Sequence, residues 1–265
     1  MTQARFINME KIPAQILRRM RYKADSQGII NRFINVGGAW EGHLRHTRNF
    51  ILKTVAGKKF EDLAIYGSGW LLDLPMDELS AIAGTVWLYD AVHPAQIIHR
   101  LRRYKNVIAV EADITGGSLI GAYLSVRDYK KHRQKVSPEQ LCNRAFQPVV
   151  MPDYTISLNL LSQIGGMISD YLKQYIPYSP KEIEKINCLL QESHLRLLLP
   201  GKSCLITDVK EFSYNYADQP TETIESINCQ LPPASHTESW EWQFDPTGDY
   251  KAGERTVLQV VAIEL

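Results

Sequence analysis

Five short apolar runs of strand length follow one another between residues 60 and 209. They are 63–66, 86–89, 106–111, 154–161 and 204–209. Longer segments with helical features separate these runs. Strands that alternate with helices are typical of a parallel sheet with right-handed crossovers. The pattern therefore predicts an α/β domain.

The segments between the runs carry start and stop signals for helices. Residues 94–105 begin with Pro94 at an N1-like position, and residues 118–145 form a polar crossover rich in Lys and Arg, which we predict to be helical. Ser179 and Pro180 predict the start of a helix over 180–199. Residues 215–238 are polar and lack a clear period, which favours a loop.

Both ends of the chain depart from the strand–helix alternation. Residues 239–244 alternate, a turn follows at 245–249, and 255–265 read as a long strand, so an antiparallel hairpin is expected. At the other end, 8–25 form a basic amphipathic pattern and 41–57 a second helical one. We expect residues 1–59 to be a helical extension that caps a cleft in a main domain of residues 60–265.

The stretch 60–90 combines features of a nucleoside site. A buried strand runs into Gly67-Ser68-Gly69, where glycines let the backbone approach a ligand closely. A following helix would present its free N–H groups there. Asp90 ends the next strand at a spacing where a carboxylate can meet ribose hydroxyls. The alternative for Asp90 is an N-cap on the helix near Pro94.

The composition allows a large core and hides a charge asymmetry. The 265 residues are 45% hydrophobic with a formal net charge of +1. Residues 1–60 carry twelve Lys and Arg against three Asp and Glu, whereas 206–265 carry three against eleven. The basic segment is a possible nucleic-acid arm, but no RNA-binding motif accompanies it. The preferred alternative is that the two segments face each other or solvate separate faces.

Cysteine and hydropathy patterns indicate a soluble, cytoplasmic protein. The four cysteines lie far apart without CxxC spacing, which fits reduced, mostly buried thiols better than disulfides or zinc ligands. No apolar run is long enough for a membrane helix, and no secretory signal is recognised, so we expect no membrane partner. The histidines lack metal-ligand spacing, so we expect no metal site.

Five segments together resemble the motifs of class I S-adenosylmethionine-dependent methyltransferases. They are LAIYGSGW (63–70), LYDAVHP (88–94), VEADITG (110–116), DYTISLNLLSQIG (153–165) and LRLLLPGKSCLITD (195–208). The resemblance covers about residues 60–265. It implies a Rossmann-like fold with an open, mostly parallel seven-stranded sheet, helices on both faces and a terminal antiparallel hairpin. It also implies S-adenosylmethionine as the cofactor.

The resemblance also implies cofactor contacts. The first motif would hold the methionine part, Asp90 the ribose hydroxyls, and Asp113 would lie beside the adenine. The full implied set is Tyr66, Gly67, Ser68, Gly69, Asp90, Ala91, Asp113, Ile114 and Asn159. The alternative for Asp113 is an exposed acid that solvates a loop.

The first motif departs from the family pattern at two positions. Where the family usually has an acid on the strand and a third glycine, this chain has Ala64 and Leu71. The first change removes one usual partner of the cofactor's amino end, and we expect Leu71 to narrow the turn. These departures motivate an alternative function, a methyltransferase-like binding or scaffold protein without turnover.

Candidate substrate contacts are Ser162 and Gln163, at the carboxyl edge of the predicted sheet, and His93. For Ser162 and Gln163, as for Asn159, a structural role inside the fold is equally compatible. No catalytic residue is identified. The tryptophans at 40, 240 and 242 are candidates for stacking on a planar substrate, although packing of the extension and the hairpin is the preferred interpretation.

We therefore expect a methyltransferase that acts on a small-molecule acceptor. A nucleic-acid methyltransferase that uses the basic first segment is a further alternative. The acceptor, its attacked atom and the oligomeric state do not follow from the sequence.

Overall fold

A computed structural model describes residues 5–8 and 12–265. It confirms an α/β fold with a mostly parallel sheet. The strands are β1 (Arg5–Asn8), β2 (Phe60–Tyr66), β3 (Ala83–Asp90), β4 (Val107–Glu111), β5 (Tyr154–Leu158), β6 (Ser203–Tyr214), β7 (Pro220–Glu225), β8 (His236–Asp245) and β9 (Arg255–Glu264). The helices are α1 (Ala14–Arg19), α2 (Tyr22–Thr54), α3 (Met76–Ile82), α4 (Ala95–Leu101), α5 (Ser118–His132), α6 (Pro138–Leu141), α7 (Gly166–Tyr175) and α8 (Pro180–Leu195).

The strand order across the sheet is β1-β4-β3-β2-β5-β6-β9-β8, with β7 paired to β6. Neighbours from β1 to β6 are parallel, while β9 is antiparallel to both β6 and β8. The predicted five parallel strands and terminal hairpin are confirmed, and β1 and β7 are additional. The chain turns from one side of the sheet to the other between β2 and β5. In open α/β sheets, ligands bind in the crevice at such a reversal.

Helices cover both faces of the sheet, and the strand alternation decides which residues meet them. On β2, Leu63 and Ile65 join the core under α2, α3 and α4, whereas Ala64 and Tyr66 join the core under α1, α5, α7 and α8. Both cores are built from side chains that are almost completely buried. The central strands are therefore apolar on both faces, as their continuous hydrophobic runs predicted.

Four predicted elements differ from the structure. The crossover 118–145, predicted to be helical, consists of two helices, because α5 ends at His132, where Arg133 takes a left-handed conformation, and α6 is a separate short helix. The predicted helix over 8–25 begins partly outside the described residues, and the structure has strand β1 followed by α1 and the start of α2. The helical pattern predicted over 41–57 is only the second half of α2, which begins at Tyr22 and continues through a kink at Val36. The predicted loop 215–238 contains β7, which pairs with the long outer end of β6. Tertiary packing and strand pairing override weak local signals in these segments.

The basic first segment packs against the acidic last segment, as the preferred alternative predicted. Helix α2 lies against β8, Lys53 Nζ lies 2.7 Å from Glu238 Oε1, and Lys58 Nζ lies 3.4 Å from Glu264 Oε1. Part of the positive charge of the first segment is therefore paired with carboxylates of the last segment.

The helix over 180–199 is confirmed as α8, with a capping box in which the Ser179 hydroxyl accepts from the Glu182 N–H. The four cysteines are free thiols, but only Cys204 is fully buried, so the expectation of mostly buried thiols is not met. Within the described part of the chain, no helix has the length and apolar character needed to cross a membrane.

Candidate functional site

The carboxyl ends of β2, β3, β4 and β5 open into one cleft, and the first half of α2 lies across it. Most of the cofactor contacts implied by sequence line this cleft. Those that do are Gly67, Ser68, Gly69, Asp90, Ala91, Asp113, Ile114 and Asn159. Segments up to 92 residues apart in the sequence are thus brought to a single edge of the sheet. This convergence is what parallel strands at a switch point produce.

The two glycines of the turn have different roles. Gly67 has a φ of +82°, and a Cβ there would lie 2.4 Å from the Leu158 carbonyl oxygen, so glycine is required for the turn to pack on β5. Gly69 has a φ of +46°, and a Cβ there would be 4.0 Å from the nearest atom. The space beside Gly69 is therefore open to a ligand.

The turn continues as a loop, and α3 begins only at Met76, so the expected helix N-terminus at the glycines is wrong. Leu71 has a φ of +54° and is 2% exposed, with its side chain in the core beside Leu74. It does not line the cleft, so its side chain takes no space from a ligand there. The backbone takes a left-handed conformation that glycine adopts more easily, and burial of the side chain offsets part of the cost.

Asp90 stabilises the turn through its side chain. Its Oδ2 accepts a hydrogen bond of 2.9 Å from the Gly69 N–H. Helix α4 begins after Pro94 without a side-chain cap, so Asp90 does not serve as its N-cap. The carboxylate thus lies in the cleft and fixes the shape of the glycine turn at the same time.

Asp113 is buried, contrary to the alternative of an exposed acid. It is 8% exposed, and its Oδ1 accepts hydrogen bonds from the backbone N–H of Thr115, at 3.0 Å, and from the Thr115 hydroxyl. Its Oδ2 has no donor in hydrogen-bond geometry among the described residues, although the backbone N–H groups of Leu119 and Ile120, in the first turn of α5, favour the ionised carboxylate. Burial raises the pKa of Asp113. A buried acceptor without a donor is costly, so the site is suited to a ligand that brings an N–H or O–H group.

The structure places His93 behind the glycine turn. His93 Nε2 lies 3.1 Å from Ser68 Oγ, and its backbone N–H donates to Glu111 Oε1. The ring is 6% exposed and does not line the cleft, and burial lowers the pKa of His93. The predicted substrate contact at His93 is therefore not brought to the cleft, and the ring instead supports Ser68.

Of the remaining predicted site residues, Tyr66 and Ser162 lie outside the cleft wall, and Gln163 lies in it. Tyr66 is 1% exposed and packs against Tyr89, so only its neighbours in the turn reach the cleft. The Ser162 hydroxyl donates to the carboxylate of Asp208, a buried residue of β6. Gln163 does line the cleft.

Asp73, which sequence analysis did not identify, also lines the cleft and contacts Asn159. Asn159 Nδ2 donates to Asp73 Oδ2 at 2.8 Å, and Asn159 Oδ1 is buried without a partner among the described residues. The Asp73 side chain is 14% exposed, and burial raises its pKa to about 6. No motif marks this residue, because it follows the glycine turn in an irregular loop.

His43, on α2, completes this group. Its Nδ1 lies 3.1 Å from Trp240 Nε1, which can only donate, so the neutral ring carries its proton on Nε2. Nε2 lies 4.0 Å from Asp73 Oδ2. Burial lowers the pKa of His43 to about 3, so the ring is neutral near pH 7 and its lone pair is occupied. His43 therefore has neither the charge to pair with Asp73 nor a free lone pair to act as a base.

The tryptophans build the same wall. Trp40 donates from Nε1 to the Phe244 carbonyl oxygen at 2.9 Å and meets Trp242 edge to face, with ring centroids 4.8 Å apart. His43 stacks on Trp242 at 3.8 Å. These rings therefore pack the first segment against the hairpin, as the preferred interpretation predicted. Trp40 and Trp242 also line the cleft.

The cleft has two sides. The glycine side consists of Gly69, Asp90 and Asp113. The tryptophan side consists of Trp40, His43, Asp73 and Trp242. Asn159 lies between Asp73 and the end of β5.

No protein-family model and no curated protein matches the chain. Among solved structures, it is similar to the 1,6-didemethyltoxoflavin-N1-methyltransferase of Burkholderia thailandensis, with 13% identity, a TM-score of 0.43 and coverage of 95% of this chain and 89% of that one. It is also similar to the N-methyltransferase NodS of Bradyrhizobium japonicum, with 10% identity, a TM-score of 0.38 and coverage of 83% and 86%. Likeness at this level does not transfer an activity.

Proposed function

We propose that the protein is an S-adenosylmethionine-dependent methyltransferase that acts on a small-molecule acceptor. The observation that carries this proposal is the convergence of Gly69, Asp90 and Asp113 in one cleft at the switch point of the sheet. The motifs that resemble the methyltransferase family thus meet at one place, in the strand arrangement that the resemblance implies.

The residues present fit an adenosine moiety. The open space beside Gly69 leaves room for a ligand against the backbone. Asp90 uses Oδ2 on the turn, which leaves its second oxygen for a ribose hydroxyl. Asp113 Oδ2 is a buried acceptor that receives no hydrogen bond from the described residues, and the exocyclic amino group of adenine is a donor.

S-adenosylmethionine, when bound, supplies a methyl group on a positively charged sulfur that is already activated for displacement. The protein's contribution is then binding, orientation and exclusion of water. The first half of α2, with Tyr22 and Ile29 in the cleft wall, covers the site from solvent. Trp70 holds the first half of α2 over the cleft, because its Nε1 donates to the Ser26 carbonyl oxygen at 2.7 Å.

Two observations support a small acceptor. Helix α2 crosses the cleft, so the site is narrow, and its wall is largely aromatic and aliphatic. Part of the basic charge of the first segment is paired with β8 and β9, which weakens the case for a nucleic-acid arm.

The proposal also includes a helical extension of residues 1–59, a main domain of residues 60–265 and a cytoplasmic location.

Isothermal titration calorimetry with S-adenosylmethionine tests the proposal. Wild-type protein is expected to bind, and Asp90→Ala is expected to abolish measurable binding, because it removes the ribose contact and the acceptor that fixes Gly69. Asp128→Ala, on the exposed surface of α5, is the control and should bind as wild type. Absence of wild-type binding, or unchanged affinity in Asp90→Ala, would contradict the assignment. Binding without methyl transfer to a broad acceptor panel would favour the scaffold alternative.

A further inference from the structure

Asp73 and Asn159, on the tryptophan side, are joined by a hydrogen bond and both carry oxygen acceptors. Asp73 Oδ2 receives one hydrogen bond, from Asn159 Nδ2 at 2.8 Å, and the Oδ1 atom of that same amide is buried and has no partner among the described residues. A carboxylate and an amide oxygen together form an acceptor pair. An ammonium group, with three donors and no acceptor, is the complementary ligand.

No cation of the described residues forms an ion pair with this carboxylate. Among them, no Lys or Arg nitrogen lies within 4.0 Å of Asp73, and His43 Nε2 lies at that distance on a neutral ring. Arg48, the other charged group that acts on Asp73, is exposed and donates to the Leu72 carbonyl oxygen. A carboxylate buried this far from a counter-ion is costly unless a ligand brings one.

We propose that Asp73, with Asn159 Oδ1, binds the ammonium group of the cofactor's amino-acid end. This inference rests on the proposed function, since it places that end of S-adenosylmethionine on the tryptophan side. It gives this chain an acidic partner for the amino group from a loop beyond the glycine turn, although the strand of the first motif lacks one. His43 and Trp240 act as positioning residues, because their hydrogen bond fixes the ring beside Asp73.

The test compares two ligands in the full-length protein. S-adenosylhomocysteine carries the amino-acid end, whereas 5′-methylthioadenosine has the same adenosine and a thioether but no ammonium group. By calorimetry, Asp73→Asn should weaken binding of S-adenosylhomocysteine at least tenfold and change binding of 5′-methylthioadenosine less than twofold. Retained binding of 5′-methylthioadenosine also shows that the variant is folded. Asp77→Asn, an exposed carboxylate at the start of α3, is the matched control.

The wild-type pH dependence gives a second readout. Only ionised Asp73 pairs with an ammonium group, and burial raises the pKa of Asp73 to about 6. Affinity for S-adenosylhomocysteine should therefore fall as the pH drops through about 6, relative to that for 5′-methylthioadenosine. The adenosine-side acids act on both ligands, so their titration cancels in the ratio. His43 stays neutral across this range, since its pKa is lowered to about 3.

The outcomes separate this inference from the proposed function. An equal loss for both ligands in Asp73→Asn would mean that Asp73 supports the cleft as a whole. No loss for either ligand would mean that Asp73 faces the methyl acceptor and not the cofactor. Both results overturn the inference, while the methyltransferase assignment stands. If wild-type protein binds neither ligand, the proposed function itself fails.

Discussion

The glycine side and the tryptophan side of the cleft are built in different ways. On the glycine side, Gly69, Asp90 and Asp113 each stand at or just after the end of a strand, and the sheet alone brings them together. On the tryptophan side, His43 meets Trp240 across 197 residues, and Asp73 meets Asn159 across 86. The rings of that side come together only when α2 is docked on β8, because they belong to these two elements.

This difference separates two kinds of dependence. The glycine side relies on the central strands, which are buried on both faces and form the most stable part of an α/β sheet. The tryptophan side relies on one helix–strand contact, sealed by stacked rings and a few hydrogen bonds. We therefore expect changes on the tryptophan side to affect stability and the bound amino-acid end, and changes on the glycine side to affect adenosine binding.

The largest expected effect is on the helix–hairpin contact. Trp40→Ala removes a side chain that is 1% exposed, together with its hydrogen bond to Phe244. The free energy of unfolding should fall by about 3–5 kcal/mol, measured by urea denaturation. Trp70→Ala, at a half-buried tryptophan, is the comparison and should cost less than half as much. Equal costs for the two variants would mean that the ring cluster holds α2 no more strongly than the single hydrogen bond from Trp70 to Ser26 does.

The two turn glycines should separate folding from binding. Gly67→Ala places a methyl group against the Leu158 carbonyl oxygen and should lower the free energy of unfolding by about 2–5 kcal/mol. Gly69→Ala should cost only about 1–2 kcal/mol, for a left-handed alanine. Its methyl group enters the open cleft, so calorimetric affinity for 5′-methylthioadenosine should fall at least tenfold. Wild-type affinity in Gly69→Ala would show that no ligand approaches this turn.

Asp113→Asn should have the smallest effect and no ligand preference. The amide can keep an oxygen toward Thr115, but it then places a donor where Asp113 Oδ2 had offered an acceptor. Affinity should fall about tenfold, equivalent to about 1.4 kcal/mol, for both S-adenosylhomocysteine and 5′-methylthioadenosine. Asp113→Asn should therefore weaken both ligands alike, whereas Asp73→Asn should weaken mainly S-adenosylhomocysteine. A loss confined to S-adenosylhomocysteine would reverse the orientation of the ligand in the cleft.

The sequence predicted the glycine side because its signals are local. A buried strand, a glycine turn and an acid at the next strand end are short patterns, and parallel strands carry them to one edge. The start of α8 at Ser179 and Pro180 was predicted for the same reason, since the signal lies in neighbouring residues.

The tryptophan side could not be predicted, because it depends on pairings between distant residues. Asp73 lies in a loop without a motif, and His43 looked like an ordinary helical residue. Likewise, His93 looked like a cleft residue from its position after Asp90, but the bond to Ser68 draws it behind the turn. Strand β7 was missed because its residues are exposed and polar, so only pairing with β6 defines it.

A crystal structure of the complex with S-adenosylhomocysteine tests the central claim most directly. We predict the adenine amino group within hydrogen-bond distance of Asp113 Oδ2, the ribose hydroxyls on Asp90, and the ammonium group on Asp73 and Asn159. Adenine bound against Trp242, or an amino-acid end that leaves Asp73 without a partner, would contradict the account.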